Sequence, residues 1–183
     1  MSTTQKATTK VVTGIVRLSY ANIWEPKSIN GGTAKYSCSI IIPKSDTETV
    51  EAINAAIEAA LNEGTAKFGG KVPPRGALKL PLRDGDTERD DEAYRGCWFV
   101  NANSTTPPQV VNQYMGFITD HSEIYSGVFA KVSITFYAFN SNGNRGVACG
   151  LGNIQKTRDG EPLGGRTNAA AEFTTLADDD FLS

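Results

Sequence analysis

The stretch Tyr125 to Gln155, YSGVFAKVSITFYAFNSNGNRGVACGLGNIQ, holds the segment whose reading decides the fold. From Val128 to Phe139 it alternates with a period of two. Val128, Ala130, Val132, Ile134, Phe136 and Ala138 fall on one side, Phe129, Lys131, Ser133, Thr135, Tyr137 and Phe139 on the other. That period belongs to a strand, and the small aliphatic side is fit for a core. The other side mixes a lysine and hydroxyls with aromatic rings, more than a merely solvated face requires. Asn140-Ser141-Asn142-Gly143-Asn144 then supplies residues that tolerate positive φ and returns the chain into a second strand near Val147 to Leu151. The pair makes a hairpin whose outer face offers rings and a cation together, as a platform for stacked bases does.

Working outward, Val11 to Tyr20 also reads as a strand, with Val12, Val16 and Leu18 on one face and Thr13, Arg17 and Ser19 on the other. Ala21 to Thr33, with Trp24, Pro26 and Gly31-Gly32, reads as a loop; Lys35 to Ile42 is the next strand, with Lys35, Ser37 and Ser39 facing together until Pro43 stops it. Ser45 and Glu48 form a capping box for a helix in which Val50, Ile53, Ile57, Ala60 and Leu61 recur at helical spacing until Gly64. Its other face bears Glu51, Glu58 and Glu63, which marks it as solvated. Lys67 to Arg83 is basic, free of acid and rich in Gly and Pro, a candidate phosphate track. Asp84 to Glu92 holds six carboxylates and one arginine, an exposed acidic loop; a calcium loop is excluded because Arg89 and Arg95 occupy the positions of the required Gly and Glu. Tyr94 to Asn103 reads as a core strand, broken by Thr105-Thr106-Pro107-Pro108 before Val110 and Val111.

The chain of 183 residues is 39% hydrophobic, which suits one domain with extensions. Its net charge of −2 conceals segregation. Outside Asp84 to Glu92 and the tail acids Asp178, Asp179 and Asp180, the chain carries 17 Lys and Arg against 11 Asp and Glu. No apolar run approaches the roughly 20 residues of a membrane helix, and the N-terminus is polar, so a cytoplasmic location is expected. Cys38, Cys97 and Cys149 are expected as buried free thiols, and a lone His121 completes no zinc site with them. No GxSxG elbow and no phosphate-binding loop are present, and Gly150-Leu151-Gly152 lacks the rest of a dinucleotide fingerprint. No catalytic residue, metal or cofactor is therefore assigned.

The residues point to binding. Arg17, Lys35, Lys71, Arg75, Lys79 and Lys131 are the candidates for phosphates, and Trp24, Phe129, Tyr137 and Phe139 the candidates for stacked bases. The segmentation is a flexible N-terminus at 1–10, a body at 11–155 and a C-terminal arm at 156–183. That arm places Asp178, Asp179 and Asp180 directly before Phe181, an arrangement suited to engaging a partner. Two other readings remain at this level: a structural or assembly protein whose hairpin rings pack against neighbouring subunits, and a carboxylate-metal nuclease built on Asp84 to Glu92.

Several ordered segments carry a resemblance: Pro81-Leu82-Arg83-Asp84-Gly85-Asp86, Tyr94-Arg95-Gly96, Tyr125-Ser126-Gly127, Phe136 to Asn140, Gly146 to Gln155 and Asp159 to Gly165. In these the chain resembles phage-encoded single-stranded-DNA-binding proteins, similar in architecture to the T7-type helix-destabilising proteins. The resemblance implies a mainly β fold, a five-stranded OB-like barrel with one α-helix, insertions and an acidic C-terminal tail. It further implies coating of single-stranded DNA during phage replication or recombination in the host cytoplasm, with the tail recruiting replication or recombination proteins. A homodimer is compatible with it. Such tails more usually end on the aromatic, whereas here Leu182 and Ser183 follow Phe181.

Overall fold

The alternation from Val128 to Phe139 is realised residue by residue. Its six aliphatic-side members are all buried, none more than 3% exposed, while the opposite side stays open or half-open. The computed structural model describes residues 8–28, 31–141 and 143–163. Its strands are β1 (Lys10–Val12), β2 (Val16–Lys27), β3 (Lys35–Pro43), β4 (Arg83–Asp84), β5 (Cys97–Ser104), β6 (Val110–Val111), β7 (Phe129–Ser141) and β8 (Asn144–Arg158).

Five of these are long, and they close a ring. β2 lies between β7 and β3, β3 pairs with β5, β5 meets β8, and β8 returns to β7. This is the expected mainly β, OB-like barrel, with the short strands as additions. Its seam is thin, because β5 and β8 share only the parallel pair Asn103↔Gly150. The helix α1 (Thr47–Glu63) packs against β7, β1 and β8, turning Ile53, Ile57, Ala60 and Leu61 inward and Glu51, Glu58 and Glu63 outward. Its cap is Asp46, not Ser45: the Asp46 carboxylate accepts the Thr49 N–H at 3.2 Å. Gly64 ends the helix as expected, and a side chain there would collide with Ala138 of β7.

Three boundaries differ from the sequence reading. The first strand breaks at Thr13 to Ile15, where Thr13 turns inward and exchanges hydrogen bonds with Val132 at 3.0 Å, leaving Val12 66% exposed. The Gly14 N–H donates to Thr49 Oγ1 at 2.9 Å, which ties the break to the start of α1. β2 then runs on to Lys27 through the segment read as a loop, and Pro26 is accommodated where the β2–β3 ladder is irregular, between Asn22 and Lys27. At the other end β8 continues past Gln155, because the start of β7 needs a partner: Phe129 pairs with Arg158. Residues 159–163 then dock as well, with Leu163 N–H donating to Ser126 O at 2.8 Å.

The segment from Arg83 to Gly96 folds as a lobe over the outside of β3 and β5. Tyr94, read as the start of a core strand, instead belongs to a single turn of 3-10 helix and joins Ile41 and Phe99 in a small second core. Lys44 anchors the lobe through Asp84 and Asp86, at 2.7 and 2.8 Å. Cys38 and Cys149 are buried free thiols, and burial pushes the Cys38 thiol up to about 12 and raises Cys149 as well. Cys97, expected to be buried with them, is a free thiol that is only half-buried. Among the described residues no helix is long and apolar enough to cross a membrane.

The two faces of β7 set up a direct comparison. Ile134→Ala, in the core, is expected to lower unfolding free energy by about 2–5 kcal/mol, whereas Thr135→Ala, one residue on and facing outward, should stay within about 0.5 kcal/mol of the parent. Urea unfolding monitored by circular dichroism measures both.

Candidate nucleic-acid interface

Cross-strand register lines up polar side chains on the outside of the ring. Asn22 of β2 stands opposite Ser37 of β3, which stands opposite Asn103 of β5; one row on, Ser19, Ser39 and Asn101 do the same. Asn22, Ser37, Ser39, Asn101 and Asn103 of these rows floor a groove of about 760 Å³ across β2, β3 and β5, while Ser19 is buried and outside its lining. Lys27, Thr33 and Lys35 rim it from the β2–β3 connection, and Arg89 does so from the lobe. Among the described residues no carboxylate lines it. In a chain of net charge −2 this is a local reversal of sign.

Arg89 is held by rings. Its guanidinium lies 5.0 Å from the Phe99 ring centre and 5.6 Å from that of Tyr94. The Tyr94 hydroxyl in turn donates to Ser39 Oγ on the groove floor at 2.9 Å, a buried bond that fixes the lobe to the sheet. Tyr20 of β2 also lines the groove, with a positive φ of 47°.

Of the candidates taken from the sequence, Lys35 lies in the groove, and its expected co-facing with Ser37 and Ser39 is realised. Four others are engaged within the molecule. Arg17 donates to the carbonyls of Gly127 and Glu161 at 3.1 and 2.6 Å, and Phe129 lies between the guanidinium groups of Arg17 and Arg158. Trp24 stacks on His121 at 4.3 Å and donates its indole N–H to Ile124 O. Arg75 pairs with Glu58 on the back of α1.

The remainder gather at the β7–β8 hairpin or stand alone. Tyr137 is 44% exposed, Phe139 is half-buried and Lys131 is exposed. Lys79 joins the hairpin through its backbone, bonding to Arg145 O and Val147 N–H at 2.8 and 3.0 Å, beside the Phe139–Gly146 pair. Lys71 is exposed on the turn before. The hairpin and the groove are neighbours at the thin seam: Gly150 pairs with both Asn103 and Thr135, and the Tyr137 ring lies 3.7 Å from where a Gly150 side chain would begin. Asp178, Asp179, Asp180 and Phe181 lie outside the described residues.

Tyr20, Asn22, Lys27, Arg89, Asn101 and Asn103 are groove residues that the sequence reading did not single out. For Asn101 and Asn103 a signal existed, two amides at period two in an otherwise apolar strand. Arg89 had a weaker one, as the lone cation among six carboxylates.

A family model described as the ssDNA-binding protein of Enterobacter phage Enc34 matches residues 9–182. The putative protein p50 of Acyrthosiphon pisum secondary endosymbiont phage 1 is 30% identical, over 92% of this chain and 94% of that one. The solved structure of the bacteriophage Enc34 single-stranded DNA-binding protein in complex with ssDNA is similar with a TM-score of 0.75 at 23% identity, covering 89% of this chain and 97% of that one. The single-stranded DNA binding protein encoded by bacteriophage T7 is similar with a TM-score of 0.61 at 16% identity, covering 97% and 100%. At those identities the two structures speak for the fold.

The lobe that carries Arg89 has a defined pH response. The Lys44 ammonium, donating to both carboxylates, holds Asp84 and Asp86 below the ordinary range, helped by the backbone N–H groups of Asp86 and Gly96 respectively. A carboxylate whose folded pKa lies below its unfolded value, about 3.9, stabilises above that value and loses the contribution as pH falls through the folded one. The anchor should therefore persist through neutral and mildly acidic solution and release only below about pH 4. The amide proton of Gly96, which bonds to Asp86 at 2.9 Å, reports the release as an NMR shift, and Lys44→Met should move that transition upward.

Proposed function

The chain belongs to the family of the Enterobacter phage Enc34 ssDNA-binding protein, and from that premise we propose that it binds single-stranded DNA along the groove on the outer face of β2, β3 and β5. The observation that supports this placement is charge: Lys27, Lys35 and Arg89 rim the groove and, among the described residues, no carboxylate does. Phosphates meet these cations, while the floor of Asn and Ser offers hydrogen bonds to bases without demanding one sequence. Beyond the seam the strand continues over Tyr137 and Phe139, with Lys79, Lys71 and Lys131 as further phosphate contacts. Arg17, Trp24, Phe129 and Arg75 serve as scaffold in this reading, through the contacts described above.

The role that fits such binding is the coating of exposed single strands in phage DNA replication or recombination, with no catalytic step. The sequence of the acidic tail supports two further elements. Asp178 to Phe181 recruits a replication or recombination protein, and in the free protein the same acids compete with DNA for the cationic rim.

A fluorescent oligothymidine titrated across a salt series tests the groove. Binding should weaken steeply with salt, and Lys35→Ala or Arg89→Ala should each flatten the log–log slope by about 0.7, the increment for one phosphate contact on a single strand. Lack of binding even at low salt would sink the reading. Deleting Asp178 to Ser183 should tighten binding in the same assay, and an unchanged or lower affinity would refute competition by the tail.

A further inference from the structure

Leu18 and Ile23 of β2 are both buried, at 0% and 2% exposure. They are an odd number of residues apart, so a regular strand would send them to opposite faces. One extra residue reconciles them. Between the pairs Ser19↔Ser39 and Asn22↔Ser37, β2 advances three residues while β3 advances two, which is a β-bulge. Tyr20 sits in it with φ at +47°, a left-handed conformation that disfavours any residue with a side chain. Met115 is the other such residue among those described, and there a side-chain-capped turn accounts for it: the Asn112 carboxamide oxygen accepts from Tyr114 and Gly116.

The bulge is held from outside the strand. The Ala21 N–H donates to Ser126 Oγ at 3.0 Å, the Gly127 N–H donates to Leu18 O at 2.7 Å, and the Asn22 carboxamide donates to Tyr20 O at 3.1 Å. In a regular strand the ring would point into the barrel; in the bulge it is 60% exposed on the wall of the groove. These bonds hold the backbone, but among the described residues the ring itself has no stacking or cationic partner, so its exposed position brings no aromatic or cationic contact within them.

We propose that Tyr20 is a base-stacking residue of the groove, presented by a bulge whose backbone strain is retained for binding, with Ser126 as its positioning residue. The inference rests on the groove being the site of single-stranded DNA. The ring is flat, solvent-facing and next to cations that hold the phosphates, and stacking on such a ring tolerates any base.

The test uses the full chain, an oligothymidine and thermal melts. Tyr20→Ala and Tyr20→Gly should bind about tenfold to a hundredfold more weakly, with an unchanged salt slope because no phosphate contact is removed. Tyr20→Phe should bind like the parent. The strain gives a second readout: Tyr20→Gly should melt above Tyr20→Ala, since glycine adopts positive φ freely. Ser126→Ala should weaken binding with the slope unchanged, and Ser126→Thr should restore it. If Lys35→Ala and Arg89→Ala weaken binding while both Tyr20 truncations bind like the parent, or if Tyr20→Gly melts below Tyr20→Ala, this inference is overturned and the groove reading stands. If the parent itself does not bind, both fall.

Discussion

The structure depends on the inner face of β7. Five alternate positions there, with Val128 just before them, are apolar and essentially without solvent, and an apolar strip that long is stable only if covered along its whole length. β8 runs beside it on one edge, β1 and β2 share the other, and α1 closes one end. Once β2 and β8 are fixed to the same strand, β3 and β5 are the elements left to join them, and the ring follows. The break between β1 and β2 is a consequence of the same demand. A single straight strand would not follow β7 along its edge and still reach β3, so the chain bends at Thr13 to Ile15 and fastens the bend to the start of α1.

The outside of the ring is then divided. Part of the outer face of β3 and β5 is covered by the Arg83 to Gly96 lobe, which buries Tyr94 and Phe99, and the rest is the groove floor, where Asn101 is exposed, Ser37 and Asn103 are half-buried and Ser39 is buried. One hydrogen bond marks the border, from the Tyr94 hydroxyl to Ser39 Oγ. A lobe that reads as a solubilising acidic loop thus acts as the end wall of the groove and brings Arg89 to it.

Legibility in the sequence followed the range of the interactions involved. The β7–β8 hairpin, α1 and the shared face of Lys35, Ser37 and Ser39 depend on local period and turn chemistry, and each was readable. The bulge at Tyr20 was not, because the group that holds it is the Ser126 hydroxyl, 105 residues away. Arg17 and Phe129 read as members of open strand faces. They are engaged because residues 158–163 return across them, a contact between distant segments that no local pattern encodes. Trp24 is held by His121 and Ile124 in the same way, from 100 residues on in the case of Ile124. For Arg17 and Phe129 the local pattern gave the strand and left the neighbour unknown; for Tyr20 and Trp24 the missing neighbour also hid the bulge and the continuation of β2.

The partners of the charges explain how an acidic protein keeps a cationic groove. Asp84 and Asp86 are committed to Lys44, Glu88 faces Arg83, and Asp84 and Asp91 cap the short helical turns of the lobe. Arg89, in the midst of these acids, rests on two aromatic rings instead, and neither Lys27 nor Lys35 forms an ion pair among the described residues. A cation held by a ring keeps nearly all of its charge available to an anion, whereas one held by a carboxylate does not. Within the Debye length of about 8 Å at physiological salt, it is this local pairing that sets the potential a phosphate meets, and the net charge of the chain matters little. A ring in place of a carboxylate beneath Arg89 therefore leaves its charge uncompensated on the rim, beside those of Lys27 and Lys35.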